Sequence, residues 1–332
     1  MGIKALGNNS DDFRNKFVRA VVFDSTGLDA ASPAPIPIPP GPLTASGGTK
    51  TTSGLYTIHT FTSSGSLVVS AGNDDVEYLV IAGGGGGGGY GGGLFGAGGG
   101  AGGYRSNVPG QASGGGASAE PATAPVVPGE YPVVIGGGGS GASQPNAGGA
   151  GGGNSEFNLG AENGDGLTPI VSTGGGGGSR GGSQIGNPEN GGSGGGGEWP
   201  GGSGGTGISG QGYAGGASSP GSTDPTLNFG GGGGSGGAGG NANSGGAGNG
   251  GAGTVSTING SPVTRAGGGG GGSYNQNVAY GGGGSNTPEL GGDGGRYSPS
   301  TTPTNASANS GSGGGGGTGN GGSGIVIVRY LT

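Results

Sequence analysis

Cysteine is missing from the whole chain, so neither a disulfide framework nor a thiolate metal site exists. Histidine occurs once, at His59, which leaves no histidine cluster for zinc. Lysine stops early: Lys4, Lys16 and Lys50 are followed only by five arginines. With 10 basic against 17 acidic residues the net charge is −7, which argues against a nucleic-acid partner. No apolar run approaches the ~20 residues of a membrane helix. The N-terminal stretch also lacks the apolar core of a secretory signal, so synthesis in the cytosol is expected.

What fills the chain is glycine, 107 of 332 residues. Collagen needs glycine at every third position with frequent proline. Here glycines come in runs of four to seven that nearly exclude proline, so collagen is rejected. A flexible linker is the competing reading, because 27% hydrophobic content is little for an ordinary core. Regular tract spacing and well-formed strands at both ends of the array oppose it.

Residues 1–31 read as an arm. Ser10 is placed to cap a short helix with Asp11 and Asp12 in its first turn, and Phe13, Phe17 and Val21 recur every four residues. The alternative is a strand over 17–23, ending at Phe23. Residues 32–53 open with six prolines in 32–42 and read as a semi-rigid polyproline II tether. Residues 54–82 form a β base of three strands, the last of them Val76-Glu-Tyr-Leu-Val-Ile-Ala82. That strand and 324–331 (Gly-Ile-Val-Ile-Val-Arg-Tyr-Leu) are nearly apolar on both faces, so each predicts an interior strand and the two are natural partners.

Between them, over 83–323, lie tracts at 83–89, 98–103, 136–139, 148–153, 174–178, 194–197, 230–234, 236–240, 267–272, 281–284 and 313–317. Short strands are expected at 131–135, 169–173, 254–258 and 263–266. A polyglycine chain in the polyproline II conformation has three residues per turn and no internal hydrogen bonds. Side by side, such helices satisfy one another's peptide groups, and the lack of Cβ permits the approach. The expected fold is therefore mostly β and irregular: a small sheet or sandwich base plus a packed array of polyglycine type II helices joined by loops.

His59-Thr-Phe-Thr-Ser-Ser-Gly65, the run from Val76 into polyglycine, and the closing Gly322-Ser-Gly-Ile-Val-Ile-Val-Arg-Tyr330 resemble the glycine-rich domain of tailed-phage virion proteins of the marine and cyanobacterial type. The tract array is similar to the polyglycine-II core of T-even-like phage tail-fibre tip adhesins. The resemblance implies a virion structural protein, assembled in the host cytoplasm, whose slab-edge loops contact the host cell surface. Its partners would be other virion proteins through the arm (Phe13, Phe17, Val21, Phe23) and a host receptor, either a glycan or an outer-membrane protein. Phage fibres suggest a homotrimer, tip adhesins a single copy. The alternative is a capsid, neck or tail decoration protein that binds no receptor.

Aromatics in loops are the contact candidates: Trp199, Tyr213, Tyr274, Tyr280 and Tyr297 above all, then Tyr90, Phe95, Tyr104 and Phe229. The plainer reading is that such rings cover the slab edges. Polyglycine at 83–89 matches a dinucleotide fingerprint trivially, but no helix or acidic partner follows. Asp74, Asp75, Asp165 and Asp293 read as solvated turn acids, since no calcium-loop spacing surrounds them. Asn8 and Asn305 open glycosylation-type triplets without a secretory route. No catalytic set, metal or cofactor is expected, and the chain is not read as an enzyme.

Overall fold

A computed structural model describes residues 41–332 except 92–94, 124, 145–146, 160–167, 182–188, 222–226, 275–278, 285–289 and 298–299. The arm with Phe13, Phe17, Val21 and Phe23, and the tether as far as residue 40, lie outside the described residues. Twelve strands are described: β1 (Gly41–Ser46), β2 (Thr49–Ser53), β3 (Tyr56–Phe61), β4 (Gly65–Asn73), β5 (Glu77–Ile81), β6 (Tyr104–Ser106), β7 (Gly129–Val134), β8 (Ser155–Phe157), β9 (Ile170–Ser172), β10 (Thr254–Ser256), β11 (Val263–Arg265) and β12 (Ile325–Leu331). They form a β1-β4-β7-β8-β9 sheet, a β2-β3-β12-β5-β6 sheet and the β10-β11 hairpin, with every pair antiparallel.

The two larger sheets make a sandwich, and side-chain alternation along the strands builds it. Tyr78 and Val80 of β5, with Val326, Val328 and Tyr330 of β12, face Leu67, Val69, Tyr131 and Val133 of the opposite sheet. The intervening Leu79, Ile81, Ile325 and Ile327 face the other way, onto Tyr104, Val108 and Ile258. Both strands are thus apolar on both faces because both faces are covered. β12 sits between β3 and β5, aligning Val328 with His59 on one side and with Tyr78 on the other. A 243-residue excursion therefore begins and ends on neighbouring strands (from 81 to 325).

The β region begins earlier than its composition suggested. Residues 41–53, assigned to the tether from sequence, pair into the sheets as β1 and β2. Thr49-Lys-Thr-Thr-Ser53 is almost wholly exposed, which suits a β-prone but polar edge strand. Between β1 and β2 the chain turns at Gly47, whose carbonyl lies 2.7 Å from His59 Nδ1. A carbonyl only accepts, so Nδ1 carries the proton and Nε2 accepts from the Tyr330 hydroxyl at 3.2 Å. The Tyr330 oxygen in turn accepts the Ala45 N–H at 3.2 Å. Burial depresses the His59 pKa below its ordinary value, with Lys50 adding to the effect against the Gly47 bond.

Above the sandwich the glycine tracts form a lattice. In 83–89 the N–H groups of Gly83, Gly86 and Gly89 donate to Gly153, Ala150 and Ala147. Gly84 and Gly87 donate to Gly322 and Gly319, and Gly85 and Gly88 to Gly100 and Ala97. All seven bonds measure 2.8–3.0 Å. A neighbour is revisited every third residue, which is the period of a three-fold helix. The carbonyls repeat the pattern: Gly83 and Gly86 accept from Gly175 and Gly178, Gly84 and Gly87 from Gly139 and Ala142, Gly85 and Gly88 from Gly314 and Gly317. The tract therefore has six neighbours, three antiparallel that receive its protons and three parallel that supply theirs. No glycine of 83–89 or 98–103 has positive φ. The tract 98–103 is surrounded likewise, donating to Gly230 and Gly233, to Gly314 and Gly311, and to Gly176 and Thr173.

This packing leaves no room for side chains between axes. A Cβ on Gly86 would lie 2.1 Å from the Ser140 carbonyl oxygen, and one on Gly176 2.0 Å from that of Glu189. Alanine interrupts the tracts where its methyl has somewhere to go: Ala101 packs with the Tyr104 cluster, and Ala150 faces solvent. At the margins, where one or more of the six neighbours are lacking, side-chain oxygens finish the lattice. Asn320, Asn154, Asn241 and Asn249 accept from the N–H of Gly141, Gly174, Ala217 and Gly282 at 2.8–3.0 Å. Asp293 accepts from Gly283 and Asn305 from Asn320, both at 2.8 Å. Two residues first read as a turn acid and a glycosylation-type asparagine are thus backbone caps.

Two outcomes follow for stability. Gly86→Ala and Gly176→Ala lower unfolding free energy by about 3 kcal/mol or more, and valine at either site abolishes folding. Gly137 has nothing within 4 Å of its Cβ position, and its backbone is not left-handed. Gly137→Ala therefore raises stability by roughly 0.5–1 kcal/mol; chemical denaturation measures all three. For pH, the unfolded chain takes a proton at His59 below about pH 6.5 that the fold refuses. Thermal midpoints therefore fall as pH drops through that value, and His59→Gln flattens this part of the profile.

Candidate functional site at the distal turns

The chain shuttles between two ends of the lattice. From β5 the tract 83–89 climbs away from the sandwich to Tyr90, and 95–103 returns to β6. Later tracts repeat the excursion, so turns gather at the sandwich end and at the far, distal end. Aromatic residues punctuate the distal turns. Phe95 and Phe229 are fully buried there, with Tyr90, Trp199 and Tyr274 packed around them. Phe95 is the hub, with ring centroids 5.6 Å from Tyr90, 6.0 Å from Phe229 and 5.7 Å from both Tyr274 and Tyr297. Tyr274 and Tyr297 stack at 4.9 Å with planes 8° apart. Trp199, which precedes Pro200 through a cis peptide, lies 6.0 Å from Tyr90. Arg296 covers one face of Tyr280 at 5.2 Å.

Four of the five aromatics favoured from sequence thus share one end: Trp199, Tyr274, Tyr280 and Tyr297. Tyr213 does not. Its ring lies against Gly116 in the 114–116 turn beside the sandwich, where a Cβ on that glycine would meet the phenol oxygen at 2.5 Å. Tyr104 is likewise sandwich core, in β6, and burial pushes its phenol up to about 12. Distal rings divide between support and display. Phe95 and Phe229 fill the centre, whereas Tyr280 and Tyr297 are 36% and 45% exposed.

A second feature of this end escaped the sequence. Asn228 bridges Ser273, Ser273 bridges Arg296 and Arg296 bridges Thr301, which makes a four-chain ribbon across the distal turns. Its main-chain bonds include Tyr274 N–H to Leu227 O at 3.0 Å, Ser273 N–H to Gly295 O at 3.0 Å and Arg296 N–H to Thr301 O at 3.1 Å. Bridged residues present side chains to one side, and their neighbours in sequence to the other. Asn228, Ser273, Arg296 and Thr301 therefore share a side, opposite Phe229, Tyr274 and Tyr297. The available signal was a polar–aromatic dipeptide at a tract end: Asn228-Phe229, Ser273-Tyr274, Arg296-Tyr297.

The sandwich end carries a different surface. A pocket of about 420 Å³ opens between the β2–β3 turn, the β10–β11 turn and the end of β12, lined by Leu55, Tyr56, Ile58, Arg329 and Leu331 among others. Arg329 is fully engaged there: it pairs with Glu77 at 2.5 Å, donates to the Thr257 carbonyl and lies over the Tyr56 ring at 4.2 Å. Leu55 and Leu331 stay exposed beside it. Among the described residues no three His, Cys, Asp or Glu side chains gather as metal ligands.

The hub and the displayed rings are separable. Phe95→Ala costs about 3–5 kcal/mol, as for other buried phenylalanines, while Tyr280→Ala changes stability by less than about 1 kcal/mol. Thermal and urea denaturation of the two variants checks this.

No characterised protein matches the chain in a search of curated sequences. A family model described as a glycine-rich domain matches residues 60–331, from within β3 to the last residue of β12. That span takes in the sandwich from the end of β3 onward, without β1 and β2, together with the lattice and the distal turns, and the chain belongs to the glycine-rich domain family.

Proposed function

We propose that this protein is a phage virion component that attaches to the particle through its sandwich end and contacts the host cell surface through its distal turns. The observation that carries the reading is the molecule's polarity. Residues 1–40 join the body at Gly41, which pairs with Asn73 near the start of β5, and the chain's last strand finishes at Leu331 opposite Tyr56. Both positions, with the exposed Leu55 and Leu331, lie at the sandwich end. The displayed aromatics lie at the other, separated by the length of a glycine tract, about 20 Å for seven residues. Rigid aromatic side chains are effective contact residues because little entropy is lost in fixing them.

The second reading, a decoration protein of capsid, neck or tail, is favoured by the apolar rim around the Leu55–Leu331 pocket, which suits a neighbouring subunit. Purified protein separates the two. As a receptor-binding protein it binds susceptible cells and delays phage adsorption, and Tyr280→Ala with Tyr297→Ala weakens both effects. Absence of cell binding, with the protein found at many symmetric positions on the particle by electron cryo-microscopy, supports decoration instead.

A further inference from the structure

The four-chain ribbon at the distal end contains a feature that folding does not explain. Asn228 Oδ1, Ser273 Oγ, Arg296 Nε and Thr301 Oγ1 are all buried, and none has a hydrogen-bond partner among the described residues. Asn228 and Ser273 are fully buried as residues. The Asn228 amide is oriented by its own donor, since Nδ2 gives a 2.7 Å bond to the Asn243 carbonyl, which leaves Oδ1 as the idle acceptor. Because successive members are bridged, these atoms form one row on one side of the ribbon. Buried polar atoms are normally satisfied, and each orphan carries a desolvation penalty. Four in a row across adjacent chains leave donors and acceptors side by side that the described residues do not use.

We propose that the row, with the exposed ring of Tyr280, is a saccharide subsite; this rests on the receptor-binding reading above and specifies its ligand as carbohydrate. The row mixes an acceptor (Asn228), a donor (Arg296 Nε) and two hydroxyls that do either (Ser273, Thr301). Sugar hydroxyls donate and accept at once and match such a set without a fixed polarity. Neighbouring chains in a ribbon lie about 4.8 Å apart, a spacing that hydroxyls across one hexose ring can bridge. The Arg296 guanidinium lies over Tyr280 and acts as the movable cover. Displaced by ligand, it frees an aromatic face for the C–H surface of the sugar beside Ser273, the bridge partner of Arg296.

Two substitutions test this, because each removes an atom that holds nothing in the fold. Ser273→Ala and Thr301→Val leave the thermal midpoint unchanged or higher, whereas binding to susceptible bacteria falls about tenfold for each lost hydrogen bond. Unchanged binding in both variants, with the fold intact, overturns the subsite. The ligand class is read on cells treated beforehand with periodate or with proteinase K. Loss after periodate alone supports a saccharide. Loss after proteinase alone overturns the carbohydrate assignment while leaving receptor binding in place, and no binding to untreated susceptible cells overturns both.

Discussion

A peptide group in a three-fold glycine helix has no partner within its own helix, and this governs the rest of the molecule. In an α-helix the chain satisfies itself, and in a sheet each strand needs two neighbours. Here a central tract needs six, as 83–89 shows, and meets its obligations only when 97–100, 139–142, 147–153, 175–178, 314–317 and 319–322 are all in place. Cooperativity is therefore lateral. Buried peptides are the main thing being satisfied, and apolar burial is concentrated in the sandwich and the distal hub. Glycine also loses the most backbone entropy on ordering. The lattice consequently depends on a separately stabilised element that fixes where its first and last tracts start. The pairing of β5 with β12 supplies that element, since Ile81 and Ile325 are direct partners, Ile325 adjoining Gly324 and Ile81 reaching Gly83 through Ala82.

The same requirement explains how the lattice ends sideways. A polyglycine slab with open margins would present unpaired N–H groups, the hazard of an exposed sheet edge. Asn154, Asn241, Asn249, Asn320 and Asp293 each turn a side-chain oxygen onto such a group. A carboxamide is the smallest side chain that imitates a missing peptide carbonyl, which accounts for the many Gly-Asn and Asn-Gly pairs along the array. Their role is local and electrostatic, and they limit growth of the lattice without adding to its interior.

Much of this was legible because two kinds of signal are local. Val76–Ala82 and 324–331 read as interior strands from their unbroken apolar runs, and tract lengths read directly as lattice columns. Other features were hidden because their cause is distant. β6 and β8 are three-residue strands, and Tyr104-Arg-Ser and Ser155-Glu-Phe become strands only because β5 and β7 lie beside them. β2 looked like tether because it is polar, yet an edge strand whose outer face is wet has no reason to be otherwise. Tyr213 could not be separated from Tyr274 or Tyr280 by sequence. All three adjoin glycine tracts, and only the count of passes between the two ends decides which turn lies where. The hydrogen-bonded orientation of asparagines is likewise fixed by lattice geometry, not by neighbours in the chain.

That alternation between ends also determines where function has freedom. A side chain inside the lattice is excluded sterically, as the 2.1 Å approach at Gly86 makes plain, so variation is confined to turns. Turns beside the sandwich pack against strands and are constrained again. Distal turns have only one another for company, and their rigidity comes from Phe95 and Phe229 clamping the column ends. A site on such a platform is positioned by main chain, so its side chains can change without disturbing what holds them. The idle row from Asn228 to Thr301 has the form expected of a site where ligand complementarity takes precedence over local stability.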